Sequence, residues 1–145
     1  TNKIYKIFFL HQYYIMDLLP LHVLSIVVLS VVILVLDMIY INCVKTLFNK
    51  LIKGIQGSDL KLDLTATFLD YILIIFSMYY FIIQKNASIE EAMILGLCIY
   101  GIYELTNMAV FKRWTWEVVM IDSIWGAVLY GTSTFLYRKI IQKLM

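Results

Sequence analysis

Four runs of mostly apolar residues dominate this chain. They fall at about Leu18–Ile41, Leu64–Ile83, Glu91–Phe111 and Glu117–Tyr137. A helix needs roughly 20 such residues to cross the hydrocarbon core of a bilayer. Few other folds accommodate four in 145 residues. The chain is 62% hydrophobic with a mean hydropathy of +0.84, against about 45–50% apolar residues in a soluble domain. A globule of this size has too much surface to hide that excess in a core, so lipid must cover it. The expected fold is all-α: a polytopic membrane protein with four transmembrane helices in an antiparallel bundle.

Local signals set the ends of these helices. Asp17 is placed to cap the first, and Pro20, the only proline, sits in its first turn, where a missing N–H costs little. The run is too long for a signal-peptide core, and no small-residue cleavage site follows it. Ser88-Ile89-Glu90-Glu91 reads as a capping box that starts the third helix. Residues 1–17 are basic and aromatic and read as a surface segment, with Met16 a candidate for the true start. The membrane domain is then residues 18–145.

The links between helices differ in character. Asn42 to Asp63 is the longest, and Lys45, Lys50, Lys53 and Lys61 make it basic. Within it Leu47, Phe48, Leu51, Ile52 and Ile55 recur at helical spacing. Val44–Ile55 is therefore expected as a short amphipathic helix on the membrane surface, ended by Gly57-Ser58-Asp59. The other two links are short, which makes helices two, three and four antiparallel neighbours. Trp114 and Trp116 fall where an interfacial aromatic belt belongs. Lys and Arg divide evenly between the two sides of the membrane, so the positive-inside rule sets no orientation.

The second constraint is where the acids fall. Asp37, Asp70, Glu104 and Asp122 each lie well inside one apolar run. Threaded up and down, all four land in the same half of the bilayer, roughly 6–11 Å below the interface that faces the long loop, at 1.5 Å per residue. Ionisable groups at mid-helix cost about 2.5–3.5 kcal/mol each on insertion scales, so four on one level make either a site or a polar seam. Lys45, Lys112 and Arg113 share that side and are placed to snorkel toward the acids. On the third helix Tyr100, Tyr103, Glu104 and Asn107 share a face by spacing. On the fourth, Asp122, Trp125, Gly126, Leu129 and Ser133 do. Ser123, Ala127 and Gly131 place small residues every four positions beside them, a pattern that lets helices approach closely. Glu104 and Asp122 are thus expected in one polar cluster. Asp70 is the weakest candidate, since it reads equally well as facing the headgroups.

Several chemistries find no support in the residues. No basic stripe tracks a phosphate backbone, so nucleic acid is not expected as a partner. Cys43 and Cys98 differ in depth by roughly 20 Å, too far for a disulfide. His11 and His22 lie near the other end, which disfavours a metal site built on Cys or His. There is no nucleophile–base arrangement, metal-ligand spacing or phosphate-binding glycine loop, so neither an enzyme nor a cofactor is expected.

The second half of the chain also carries a recognisable pattern. Tyr103-Glu104-Leu105-Thr106-Asn107, then Ala109, Trp114 and Asp122-Ser123-Ile124-Trp125-Gly126 resembles the domain-of-unknown-function family 2177. Leu36-Asp37-Met38-Ile39-Tyr40 is similar to that family's first-helix Leu-Asp-x-x-aromatic. Glu104 stands where the family usually has Asp, Thr115 where a Pro commonly follows the Trp, and Asp70 has no counterpart. The resemblance implies a four-helix membrane protein, found in bacteria, some protists and large DNA viruses, with no assigned activity. It marks Asp37, Glu104, Thr106, Asn107, Asp122 and Trp125 as motif residues. Two functions remain in view. The first is a structural or assembly component of a larger membrane assembly, such as a virion's internal membrane or an organelle complex, with other subunits or copies of itself as partners. An excess of Lys over Arg and an abundance of Ile, Tyr and Phe, typical of AT-rich genomes, agree with a viral source. The second is a small carrier or proton- or cation-binding protein that uses the carboxylate layer. Against the second, the sequence shows no second polar level toward the opposite face, and no inverted repeat or broken helix pair.

Overall fold

In the computed structural model the backbone is described for residues 2–144, and side chains from Leu21 to Leu144. The expected surface segment of residues 1–17 and the candidate start at Met16 lie outside the described side chains. The described residues form four helices and no strand. These are α1 (Asn2–Gln56), α2 (Leu64–Met78, continued by a π-helical turn over Tyr79–Ile83), α3 (Ile89–Val110) and α4 (Trp116–Leu144). Each contains a stretch long and apolar enough to span a membrane. This is the architecture of a multi-pass integral membrane protein.

The first correction concerns α1. The expected surface helix over Val44–Ile55 is not separate: it forms the last turns of α1, which runs unbroken to Gln56. Between Pro20 and Gly54 there is neither glycine nor proline, so nothing interrupts the i→i−4 ladder. The apolar stripe Leu47, Phe48, Leu51, Ile52 and Ile55 packs against Trp114, Val118 and Val119 at the start of α4. The 36 residues from Leu21 to Gln56 extend roughly 54 Å at 1.5 Å per residue, well beyond the ~30 Å hydrocarbon core. The basic C-terminal turns therefore overshoot the core. The fourth helix is also longer than expected, reaching Leu144 rather than Tyr137.

The remaining ends follow local chemistry. Gly57, with φ 77°, closes α1 as its N–H bonds Lys53 O at 3.0 Å, the left-handed cap that favours glycine. Asp63 caps α2, accepting from the N–H groups of Thr65 and Ala66 at 2.8 and 3.1 Å. After the π turn, Asn86 takes φ 49°. Ala87 N–H bonds Ile82 O and Asn86 N–H bonds Ile83 O, the two bonds of a Schellman stop. The capping box is present at α3: Glu91 N–H donates to Ser88 Oγ at 3.1 Å, and Ser88 N–H to Glu91 Oε2 at 2.6 Å.

Packing is tightest between α3 and α4. A Cβ added at Gly96 would lie 2.1 Å from the carbonyl oxygen of Gly126, and one at Gly126 would lie 2.5 Å from that of Gly96. The two backbones touch there. Met93 fills the space over Gly131, and Ser123 Oγ lies near Gly101. Contact thus ascends one helix as it descends the other. Of the four small residues expected to pack, Ser123, Gly126 and Gly131 line this contact, with Gly126 at the closest point, while Ala127 is only half-buried. A core of Leu29, Ile33, Ile74, Met78, Ile82, Leu129 and Tyr130 joins α1, α2 and α4 below the acids.

Candidate functional site

Asp37, Glu104 and Asp122 are the buried acids of the described bundle, at 8%, 0% and 9% exposure. Asp70, by contrast, faces outward. Each buried acid is met by an aromatic donor from another part of the fold. Tyr71 Oη on α2 donates to Asp37 Oδ2 at 2.6 Å, and Trp125 Nε1 on α4 to Asp37 Oδ1 at 2.9 Å. Tyr40 Oη on α1 donates to Asp122 Oδ1 at 2.7 Å. Trp114 Nε1, in the link before α4, donates to Glu104 Oε2 at 2.7 Å. The carboxyls of Glu104 and Asp122 lie beside each other in this layer.

Helix α1 and helix α4 are tied reciprocally. The acid of α1 accepts from the tryptophan of α4, and the acid of α4 accepts from the tyrosine of α1. Asp37 and Tyr40 are three residues apart, as are Asp122 and Trp125, and the helices run in opposite directions, so both bonds form at once. Between them the Tyr40 and Trp125 rings stack, 4.3 Å apart and 5° from parallel. The same Asp-x-x-aromatic spacing on two facing helices makes a local two-fold arrangement.

Among the described residues no cation shares the layer. The one ion pair among the described residues joins Lys53 and Asp59, in the long-loop region. The snorkelling contacts expected of Lys45, Lys112 and Arg113 do not form: all three are exposed, and Arg113 instead donates to the carbonyl of Gly54. Phenol and indole donors were available inside the bundle, so no long side chain had to be drawn down. Among the described residues no group of three or more His, Cys, Asp or Glu side chains is arranged to hold a metal ion.

Not every expected site residue joins this layer. Tyr103 is 59% exposed, and Thr106 turns outward to bond Ile102 O at 2.7 Å. With 3.6 residues per turn, pointing Glu104 inward swings Tyr103 about 100° aside and Thr106 about 200°. Asn107 stays on the inner face, where its Nδ2 is buried without a partner. Trp114 goes the other way: expected in an interfacial belt, it is 6% exposed and holds Glu104, while Trp116 is 61% exposed and fits the belt. An indole N–H near an apolar interior needs an acceptor, and that was the signal for Trp114. Tyr40 and Tyr71 were likewise missed as donors.

A second polar level exists, contrary to the sequence expectation. Two turns beyond Asp122 on α4, roughly 12 Å deeper, Tyr130 Oη pairs with Ser77 Oγ at 2.7 Å. Thr134 Oγ1 donates to Tyr130 O at 2.8 Å. Ser133 Oγ is buried without a partner. Farther toward the opposite face, His22 Nδ1 bonds Tyr79 Oη. Apart from His22 these groups are hydroxyls, three on α4 and two on α2 and its π-helical turn, and only packing gathers them.

Neither a curated protein nor a solved structure matches the chain. Its motif acids and their aromatic partners do fall within residues 22–137, the stretch that matches the family described as "Predicted membrane protein (DUF2177)". The chain belongs to that family.

Proposed function

We propose that the layer of Asp37, Glu104 and Asp122 is a proton-binding site and that the chain works as a small proton-linked carrier. One observation carries this reading: three buried carboxyls lie in a membrane span with only neutral donors around them. Buried charge without a counter-charge is costly, and intramembrane acids of this kind mark proton and ion pathways. The layer lies toward the long-loop side of the bundle, and a carrier needs water to reach it from there. The hydroxyl level beneath it removes the main objection to a carrier, since polar groups continue toward the opposite face. No enzymatic activity is proposed.

An assembly role is the competing reading, favoured by the way the acids tie all four helices together. Labelling with a water-soluble carbodiimide and an amine nucleophile, on protein in intact membranes, separates the two. Peptide mapping is expected to find Asp37, Glu104 or Asp122 modified. Modification confined to loop acids such as Asp59 and Asp63 sinks the carrier and leaves the acids as dry internal ties.

A further inference from the structure

The contact between Glu104 and Asp122 is chemically incomplete. Trp114 takes Glu104 Oε2, and Tyr40 takes Asp122 Oδ1. Glu104 is fully buried, and its second oxygen, Oε1, accepts from no donor of the protein. The buried Asp122 carboxyl is its neighbour in the layer. Ionised carboxylates are acceptors only, so two of them cannot bond each other. Like charges this close do not both persist where nothing compensates them, and a pair in such a place shares one proton.

Among the described residues the surroundings supply no positive charge. From α1 come Asp37 and Tyr40, from α2 Tyr71, from α3 Tyr100, and from the link Trp114. All are acids, phenols or an indole. One turn along α3, Asn107 presents a buried Nδ2 with no acceptor. An orphan donor and an orphan acceptor thus lie within one turn of each other on the same inner face.

We propose that Glu104 and Asp122 form an acid pair holding a single proton between Glu104 Oε1 and the Asp122 carboxyl. The pair is a site for a proton rather than for a metal ion. This deepens the proton-binding reading of the layer and rests on it, but it names which two carboxyls carry the proton and leaves Asp37 outside the pair, bonded to Tyr71 and Trp125. Tyr40 and Trp114 act as positioning residues, fixing one oxygen of each acid so that the other two converge.

Infrared spectroscopy of the full chain in lipid nanodiscs at neutral pH tests this. The expected result is one protonated-carboxyl C=O band that disappears in Glu104→Gln and in Asp122→Asn, and persists in Asp37→Asn and Asn107→Ala. Both amide variants keep a donor at the contact, so they are expected to melt close to the parent. Absence of the band overturns the pair, as does its survival in both amide variants. So does a melting point that rises with sodium or potassium at constant ionic strength, which would put a metal ion in the proton's place. A band present while carbodiimide labels only loop acids would leave the pair standing and the carrier refuted. Labelling of the layer without the band would do the reverse.

Discussion

At Trp114 one nitrogen decides how a buried acid is held. Its indole N–H is the donor to Glu104 Oε2, and no other described group replaces it. Trp114→Phe keeps most of the ring's packing against Val118 and Val119 but strands a buried acceptor. Such a group left unsatisfied costs about 1–3 kcal/mol, more when charged, so thermal unfolding in detergent is expected to drop by at least that amount. An unchanged melting point would mean that Glu104 finds a partner elsewhere. At this scale the sequence is half legible. Acids stand out in an apolar run because each is expensive there. Their donors do not, because Tyr40, Tyr71 and Trp114 read equally well as lipid-facing or belt aromatics until packing turns their polar ends inward. Tyr103 and Thr106 err the other way: their neighbours' phase, not their own polarity, decides where they point.

Among the elements, the hairpin of α3 and α4 is fixed by contact of backbone with backbone. Gly96→Ala puts a methyl carbon 2.1 Å from the Gly126 carbonyl oxygen, and neither side has a flexible side chain to yield. Overpacking of this kind costs about 1–3 kcal/mol. Gly101→Ala is the matched control, since its new carbon meets Ser123 Oγ at an ordinary 3.6 Å. It is expected to be near neutral, or to gain up to about 1 kcal/mol from helix propensity. Equal losses in chemical or thermal unfolding of the two variants would refute the close crossing. Small residues on α4 are visible in the sequence. That Gly126 and Gly96 are the ones that meet is not, because the crossing point depends on the length and angle of the connecting link. The fused end of α1 has a similar cause. Its apolar stripe reads as a lipid-surface signal, and Trp114, Val118 and Val119 happen to offer a protein surface of the same character.

For the whole molecule, four spans place the Gly57–Asp63 link and the Gln84–Ser88 link on opposite faces. With Cys43 and Cys98 replaced by Ser, Ser58→Cys and Gln84→Cys are expected to react with a membrane-impermeant maleimide from opposite sides of sealed vesicles. The pair would also fix the orientation that evenly divided Lys and Arg leave open. Reaction of both from one side would remove a span. Span number and depth of the acids were legible because hydrophobic length and helical rise are properties of the chain alone. The hydroxyl level was not, because its serine, threonine and tyrosine hydroxyls lie on separate helices and carry no charge that stands out in an apolar run. The reciprocal tie between α1 and α4 has a consequence for descent. Either ring can be exchanged for another donor while its acid stays in place. A one-residue insertion between Asp37 and Tyr40 is different: it turns one partner about 100° away and breaks the stack along with the bond. Related chains should therefore vary more freely in the identity of that aromatic than in the three-residue interval that separates it from the acid.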